Sequence, residues 1–220
     1  MKFEAVLFDC DGVLVDSEPL TIGVLRDLLA ENGWAMAQAE CMRLFVGKTV
    51  MDEASAIEAH TGKPLTEAWI LEFRARRNTA LQTWLQPIPG IHAALHAIHS
   101  AYAGRIACAS GADRIKIELQ LEKVGLAEYF KGRVFSGHEM PRTKPWPDVY
   151  LAAAAALQVD PARCAVVEDT TTGVRAGVAA GATVFGYAPA TSGHVDAQAL
   201  MEAGAFCTFT DMGQLVGLLV

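Results

Sequence analysis

The sequence predicts an α/β protein in which helices cover both faces of a parallel sheet. Short apolar, β-branched segments recur along the 220 residues, and amphipathic segments of helix length separate them. Buried parallel strands have this composition because both of their faces are covered. We expect strands at Ala5–Phe8, Arg105–Ala109, Val134–Phe135, Cys164–Val167 and Thr183–Phe185, and a sixth at Phe206–Phe209.

A long helical segment interrupts the alternation after the first strand. Residues 16–86 contain no convincing strand, but amphipathic segments occur at Leu20–Ala30, Met51–Ala59 and Thr66–Leu85. The sequence Gln86-Pro-Ile-Pro-Gly90 follows, and two prolines with a glycine cannot continue a helix. We therefore predict a Rossmann-like, doubly wound parallel sheet core made of residues 1–15 and 87–220, with a helical domain, residues 16–86, inserted after the first strand.

Composition and charge exclude several classes of protein. Hydrophobic residues make up 52% of the chain and charged residues 20%. A chain of this length and composition can form a hydrophobic core without disulfides or a structural metal. The net charge of −7, with no run of Lys or Arg, argues against a nucleic-acid partner. No segment reaches the roughly 20 apolar residues that a membrane-spanning helix needs. Five widely spaced cysteines without a C-x-x-C pair indicate reduced thiols, so we expect a cytoplasmic protein, and nothing requires more than a monomer.

Polar clusters follow three of the predicted strands. Because the carboxyl ends of parallel strands meet at one edge of an open sheet, where ligands bind, we expect the clusters to form one site. Turn and capping residues also favour strand ends, which is the alternative for any single cluster. The clusters are Asp9-Cys-Asp11-Gly after the first strand, Ser110-Gly111 after the second and Glu168-Asp169-Thr170 after the fourth.

Four carboxylates at one site favour a bound cation. Each pair repels by about 4 kcal/mol at about 4 Å for an effective dielectric near 20, so the group takes up protons or holds a hard cation. Oxygen ligands without His or Cys favour Mg²⁺, which takes one or two carboxylates, several waters and a substrate phosphate. We predict Mg²⁺ as the cofactor, with Asp9, Asp11, Glu168 and Asp169 as candidate ligands.

Asp9 and Asp11 also suit phosphoryl transfer. Residues two apart on a strand point to the same face, so both side chains can approach one substrate. One aspartate can attack phosphorus, and the other can pass a proton to the leaving oxygen. Lys144 lies in a loop restricted by Pro145 and Pro147, and its ammonium would neutralise a phosphoryl group. A solvated lysine is the alternative.

Four motifs resemble, in order and spacing, those of the haloacid dehalogenase superfamily. Within it, the sequence is similar to the phosphatases with a small helical cap, near β-phosphoglucomutase and phosphoglycolate phosphatase. The resemblance spans the whole chain and identifies residues 16–86 as the cap domain, which closes to exclude water during transfer. The motifs are Asp9-Cys-Asp11-Gly-Val-Leu-Val-Asp16-Ser-Glu18, Ala109-Ser110-Gly, Lys144-Pro-Trp-Pro-Asp148 and Glu168-Asp169-Thr170.

The resemblance implies a role for each matching residue. Asp9 is the expected nucleophile, which forms an aspartyl-phosphate and binds the metal. Asp11 is the expected general acid and base, and it binds the metal through its backbone carbonyl. The remaining expected roles are a hydrogen bond to the phosphoryl group from Ser110 with Gly111 beside it, charge balance from Lys144, metal ligation by Asp169, and direct or water-mediated ligation by Glu168.

Two cations of the cap are candidates for contact with the rest of the substrate. They are Lys48 in Val46-Gly-Lys48-Thr and Arg77 in Arg74-Ala-Arg76-Arg77. A solvated helix face is the alternative for both.

We expect a Mg²⁺-dependent phosphatase that hydrolyses a small phosphorylated metabolite, such as a sugar phosphate or phosphoglycolate. Two alternatives stay open: a phosphomutase of the β-phosphoglucomutase type, and a non-catalytic protein that binds a phosphorylated metabolite. In that mutase a cap histidine stands twelve residues after the nucleophile, whereas this chain has Thr21, which favours the phosphatase. The dehalogenase branch lacks the second aspartate of the first motif, so Asp11 argues against carbon–halogen cleavage.

A second phosphatase signature also occurs in the chain. Cys108 and Arg114 satisfy the Cys-x5-Arg pattern of the cysteine phosphatases. However, Cys108 falls inside a predicted strand instead of the loop, and Asp113 beside Arg114 would repel a phosphate. We expect Cys108 to be a buried thiol.

Overall fold

The computed structural model of the chain describes residues 3–190 and 195–220. Within these residues six strands form one sheet. The strands are Ala5–Phe8 (β1), Ile106–Ser110 (β2), Val134–Ser136 (β3), Cys164–Glu168 (β4), Thr183–Tyr187 (β5) and Cys207–Phe209 (β6).

Ten α-helices occur in the same described residues. None of them combines the length and the apolar composition needed to cross a membrane. Four are consecutive between β1 and β2: Glu18–Glu31 (α1), Gln38–Phe45 (α2), Ala54–Thr61 (α3) and Glu67–Trp84 (α4). The others are Ile91–Ala101 (α5), Arg114–Lys123 (α6), Asp148–Ala156 (α7), Thr171–Ala179 (α8), Ala197–Glu202 (α9) and Met212–Leu219 (α10).

The sheet has the strand order β3-β2-β1-β4-β5-β6, and every neighbouring pair is parallel. The chain moves outward from β1 to β2 and β3, then crosses back to place β4 on the other side of β1. The connection therefore reverses direction between β1 and β4, and such a switch point opens a crevice at the carboxyl ends of the strands. The predicted fold class is confirmed.

Alternate strand residues pack against helices in a dry core. Ala5, Leu7, Ala107 and Ala109 are buried in one apolar cluster together with residues of α7 and α8. A Cβ added at Gly177 of α8 would lie 2.7 Å from Val184 Cγ2, so glycine lets this helix approach β5 closely. This packing fixes the start of α8 beside the end of β4.

By its internal contacts the chain divides into two compact units. One consists of Met1–Asp16 with Gln86–Val220, and the other is the helical unit Ser17–Leu85. The helical unit has its own apolar core, to which α1 contributes Ile22, Leu25, Leu28 and Leu29, α2 contributes Cys41 and Phe45, α3 contributes Ile57 and α4 contributes Phe73. Thr66 caps α4, because its Oγ1 accepts a hydrogen bond of 3.2 Å from the Trp69 amide.

Several elements differ in their bounds from the sequence prediction, and two of the differences bear on the site and on the helical unit. Strands β2 and β4 extend to Ser110 and Glu168, so these polar residues end the strands instead of following them. Helix α2 is absent from the prediction. Ala37 precedes it without a side-chain capping bond, so the local sequence carries no start signal, and burial of Cys41 and Phe45 stabilises the short helix instead.

Candidate active site

Asp9 lies immediately after the central strand β1, at the switch point of the sheet. Its side chain is buried, and burial raises its pKa from 3.8 to about 7 against the opposing effect of Lys144. The turn that follows passes close to Asp169, because a Cβ added at Gly12 would lie 2.6 Å from Asp169 Cγ. Gly12 also has a φ of +75°, which L side chains rarely adopt. The turn is therefore built for a glycine at this position.

Lys144 joins the first and fourth motifs. Its Nζ donates to Asp9 Oδ1 at 2.9 Å and to Glu168 Oε1 at 2.7 Å. Nζ also lies 3.0 Å from the Tyr150 hydroxyl, which itself donates to Glu168 Oε1 at 2.8 Å. Burial would lower the pKa of Lys144, but the charges of Asp9 and Glu168 raise it well above its ordinary value. A permanent ammonium is thus held against the Asp9 carboxylate.

Glu168 is the anchor of this arrangement. Its side chain is fully buried, and its Oε2 accepts hydrogen bonds from the backbone amides of Asp169 at 3.0 Å and Thr170 at 3.1 Å. The Thr170 hydroxyl donates to the same oxygen at 3.0 Å, and its Oγ1 caps α8 by accepting from the Gly173 amide. Both carboxylate oxygens of Glu168 are therefore engaged by protein donors.

Three carboxylates offer oxygens to a common point. Ligand atoms of Asp9, Glu168 and Asp169 lie within 4.8 Å of one another, and all three residues are buried. The donors are all oxygens, and with Asp11 the site holds four carboxylates, which form ion pairs with the ammonium groups of Lys144 and Lys116. This donor set fits a hard divalent cation such as Mg²⁺.

Asp11 lies on the turn after β1 and contacts α6. Its Oδ1 accepts from Lys116 Nζ at 2.7 Å and from Gln120 Nε2 at 2.8 Å. Both donors are buried residues of α6. Asp11 is therefore held by a helix that follows the second motif.

Ser110 and Gly111 end the neighbouring strand β2 at the same edge. Ser110 is buried, and its Oγ accepts from the Ala112 amide at 3.1 Å. The loop is fixed from β3, because Ser136 Oγ donates to the Ala112 carbonyl at 2.6 Å. The structure thus brings Asp9, Asp11, Ser110, Lys144, Glu168 and Asp169 into one unit of the chain, at the carboxyl edge of its sheet.

Comparison with known proteins identifies the family. A family model described as haloacid dehalogenase-like hydrolase matches residues 3–181. This chain belongs to that family. The resemblance of its four motifs to the family is therefore confirmed.

Several relatives of this haloacid dehalogenase-like hydrolase are named as phosphatases. A 6-phosphogluconate phosphatase of Escherichia coli is 31% identical over 84% of this chain and 82% of its own length. A phosphorylated carbohydrates phosphatase of Thermotoga maritima is 30% identical over 92% of both chains. A solved structure of a HAD family hydrolase from Deinococcus radiodurans, with bound phosphate and sodium, is 32% identical, has a TM-score of 0.80 and covers 100% of this chain and 98% of that one.

The two cations predicted to contact the substrate have different surroundings in the helical unit. Lys48 is exposed and pairs with Glu53 at 2.7 Å. Arg77 is buried on α4, donates to Asn78 Oδ1 at 2.9 and 3.1 Å, and lies 5.9 Å from the Phe73 ring centre. Burial argues against a solvated face for Arg77. A substrate-binding role for either cation stays a prediction.

The Cys-x5-Arg signature does not form a phosphate loop in this hydrolase. Cys108 is fully buried within β2. The Arg114 guanidinium is engaged by both oxygens of Glu139, at 2.6 and 2.5 Å. The expectation of a buried thiol at Cys108 agrees with this placement.

Three polar residues outside the four motifs also contact the candidate active site. They are Lys116, Gln120 and Tyr150. A signal for the first two exists, since Lys116 and Gln120 lie four apart on the face of α6 that also buries Ile117 and Leu121. Polar side chains within a buried helix face need partners, and the nearest acidic cluster supplies one.

Proposed function

We propose that this chain is a Mg²⁺-dependent phosphatase that hydrolyses a small organic phosphomonoester through an aspartyl-phosphate on Asp9. The observation that carries the proposal is the buried contact between Asp9 Oδ1 and the Lys144 ammonium at the switch point of the sheet. A binding protein would need neither a nucleophile nor a second aspartate beside it. The names of the relatives add support for phosphate esters of sugars and sugar acids as the substrate class.

The proposed first step transfers the phosphoryl group to Asp9. A carboxylate oxygen of Asp9 attacks phosphorus, the bond from phosphorus to the ester oxygen breaks, and Asp11 gives that oxygen its proton. Lys144 neutralises charge on the transferring group and on Asp9, while Ser110 donates a hydrogen bond from the end of β2. In the second step Asp11 accepts a proton from water, the water oxygen attacks phosphorus, and inorganic phosphate leaves Asp9.

Asp9, Asp169 and the Asp11 carbonyl would hold the metal ion. Bound Mg²⁺ supplies positive charge that offsets the excess of carboxylates and the charge of the phosphate. Glu168 would act outside the first ligand set, since its two oxygens already accept five hydrogen bonds. Its part would be to hold Lys144 and the start of α8 in place.

The helical unit Ser17–Leu85 would serve as the cap of this enzyme. Its insertion between β1 and β2 supports the assignment. A cap of this size would admit small metabolites and exclude polymers. Lys48 and Arg77 would contribute to substrate binding there.

The experiment that tests the proposal measures phosphate release from 6-phosphogluconate, hexose phosphates, hexitol phosphates and phosphoglycolate. Wild type, Asp9→Asn and Cys108→Ser are compared with Mg²⁺ and with excess EDTA. We expect turnover by wild type and Cys108→Ser only with Mg²⁺, and none by Asp9→Asn. Undiminished rates in EDTA or in Asp9→Asn would refute the mechanism, and transfer without phosphate release would indicate a mutase.

A further inference from the structure

We propose that Lys116 and Gln120 of α6 are positioning residues that fix which oxygen of Asp11 carries the proton to the leaving group. The inference rests on the proposed function, in which Asp11 is the proton donor. Neither residue matches one of the four motifs, and neither contacts the proposed nucleophile in the hydrogen bonds that the structure gives for them.

Lys116 and Gln120 present the same hydrogen-bonding chemistry to Asp11. Lys116 Nζ and Gln120 Nε2 can only donate, and both donate to the same atom, Asp11 Oδ1, at 2.7 and 2.8 Å. An oxygen that accepts two such bonds cannot also carry a proton without losing one of them. The transferable proton of Asp11 therefore resides on Oδ2.

The Gln120 amide has a defined orientation. Its Oε1 accepts from the Cys10 thiol at 3.5 Å, so its Nε2 faces Asp11. A rotated amide would place an oxygen against the carboxylate and a nitrogen against a thiol that acts as donor. Cys10 thereby fixes the donor that Gln120 presents.

Helix α6 is held in place at its start and along its buried face. Asp113 caps the helix by accepting from the Lys116 amide at 3.0 Å, and Arg114 ties the first turn to Glu139. Lys116 and Gln120 are four residues apart, so both reach the same target from one helix face. Ile117 and Leu121 are buried beside them. A helix held at its start and along its length can set the Asp11 side chain in one rotamer.

A purely structural role for the Lys116–Asp11 pair makes a different prediction from a positioning role. Loss of a structural pair would lower activity equally for all substrates. Loss of a positioning pair would matter only where the leaving group needs a proton. Alkoxide leaving groups of sugar phosphates need it, whereas the nitrophenolate of p-nitrophenyl phosphate leaves without it.

The test compares kcat/KM for the best sugar phosphate and for p-nitrophenyl phosphate, because kcat/KM reports the step in which the leaving group departs. The variants are Lys116→Met, Lys116→Gln and Gln120→Met, with Asp11→Asn as reference. Lys123→Met, an exposed change at the end of the same helix, is the matched control. Melting temperatures of all variants separate unfolding from lost catalysis.

We expect Lys116→Met to lower kcat/KM for the sugar phosphate at least about tenfold, within the contribution of general acid catalysis, and to change it less than about threefold for p-nitrophenyl phosphate. Gln120→Met should show the same selective loss of kcat/KM for the sugar phosphate. Lys116→Gln keeps a hydrogen-bond donor, so its selective loss should be smaller. Equal losses on both substrates, or no loss on either, would overturn the inference. If Lys116→Met does not fold, Lys116→Gln and Gln120→Met decide by the same criterion.

The same data separate this inference from the proposed function. If Asp11→Asn hydrolyses the sugar phosphate as fast as wild type, Asp11 is not the proton donor, and both the mechanism and the inference are wrong. If Asp11→Asn shows the selective loss and the α6 variants do not, the mechanism stands and only the inference fails.

Discussion

At Gly173, the addition of a single methyl group should disturb the candidate active site more than at the other glycines of the site. It lies in the first turn of α8, with a φ outside the left-handed region, so alanine could adopt its backbone conformation. In a helix without other constraints, Gly→Ala stabilises by up to about 1 kcal/mol. Here an added Cβ would overlap Oε1, Cδ and Oε2 of Glu168, all well inside the 3.0 Å that real Cβ contacts respect. The Glu168 carboxylate must therefore move.

The cost follows from what the carboxylate holds. Its Oε1 accepts from Lys144 at 2.7 Å and from Tyr150 at 2.8 Å. A hydrogen bond to a charged group contributes about 1.5–3 kcal/mol, and a neutral one about 1 kcal/mol. With the Lys144 and Tyr150 bonds lost and up to about 1 kcal/mol of helix gain subtracted, we expect Gly173→Ala to lower the free energy of unfolding by about 1.5–3 kcal/mol. Since Lys144 loses one of its two carboxylate partners, kcat/KM should fall at least about tenfold, which corresponds to about 1.4 kcal/mol.

Urea unfolding and phosphate release measure the two effects. Gly217→Ala in α10 is the matched control, because nothing lies within 4 Å of a Cβ built there. That variant should keep wild-type activity and gain stability. If Gly173→Ala resembles Gly217→Ala in both measurements, Glu168 does not anchor Lys144 and the account of this site is wrong.

Three further predictions address neighbouring features. Tyr150→Phe removes the hydroxyl shared by Lys144 and Glu168, and should lower the free energy of unfolding by about 1 kcal/mol, with kcat/KM reduced severalfold; an unchanged enzyme would contradict it. Gly12→Ala should weaken Mg²⁺ binding at least about tenfold in calorimetry, since its Cβ would displace Asp169, and wild-type affinity would contradict it. Burial raises the pKa of Asp9 from 3.8 to about 7, so between these values the folded protein binds a proton that the unfolded chain does not. The free energy of unfolding of the metal-free wild type should therefore fall as the pH rises from about 5 to 7. The fall, measured relative to Asp9→Asn, should be about 1 kcal/mol per pH unit. Urea titrations in EDTA check this, and a pH-independent difference would contradict it.

The fold and the location of the site could be predicted because they depend on local patterns. Strand composition gave the sheet, and the polar residues at the ends of β1, β2 and β4 indicated its carboxyl edge. Helix α2 was missed because burial in the helical unit stabilises it, and its sequence has no capping signal. Local pattern does not report such tertiary stabilisation.

The contacts that organise the site lie beyond local pattern. Lys116 is 105 residues from Asp11 in the chain, and no spacing rule says which helix face meets which turn. Cys108 and Arg114 match the Cys-x5-Arg motif in sequence, but in the structure Arg114 is hydrogen-bonded to Glu139. A match in spacing therefore does not show which partner a side chain has in the fold. Tyr150 contacts Lys144 and Glu168 only because α7 packs beside β1 and β2.

Covalent trapping can show whether Asp9 carries the phosphoryl group during turnover. Wild-type enzyme is mixed with radiolabelled substrate and Mg²⁺, quenched in acid and digested, and part of the sample is reduced with borohydride. We expect the label on the peptide that contains Asp9, and we expect borohydride to convert that residue to homoserine. The Asp9→Asn variant should carry no label. Label on the peptide that contains Cys108, or turnover with no labelled protein at any time, would contradict it.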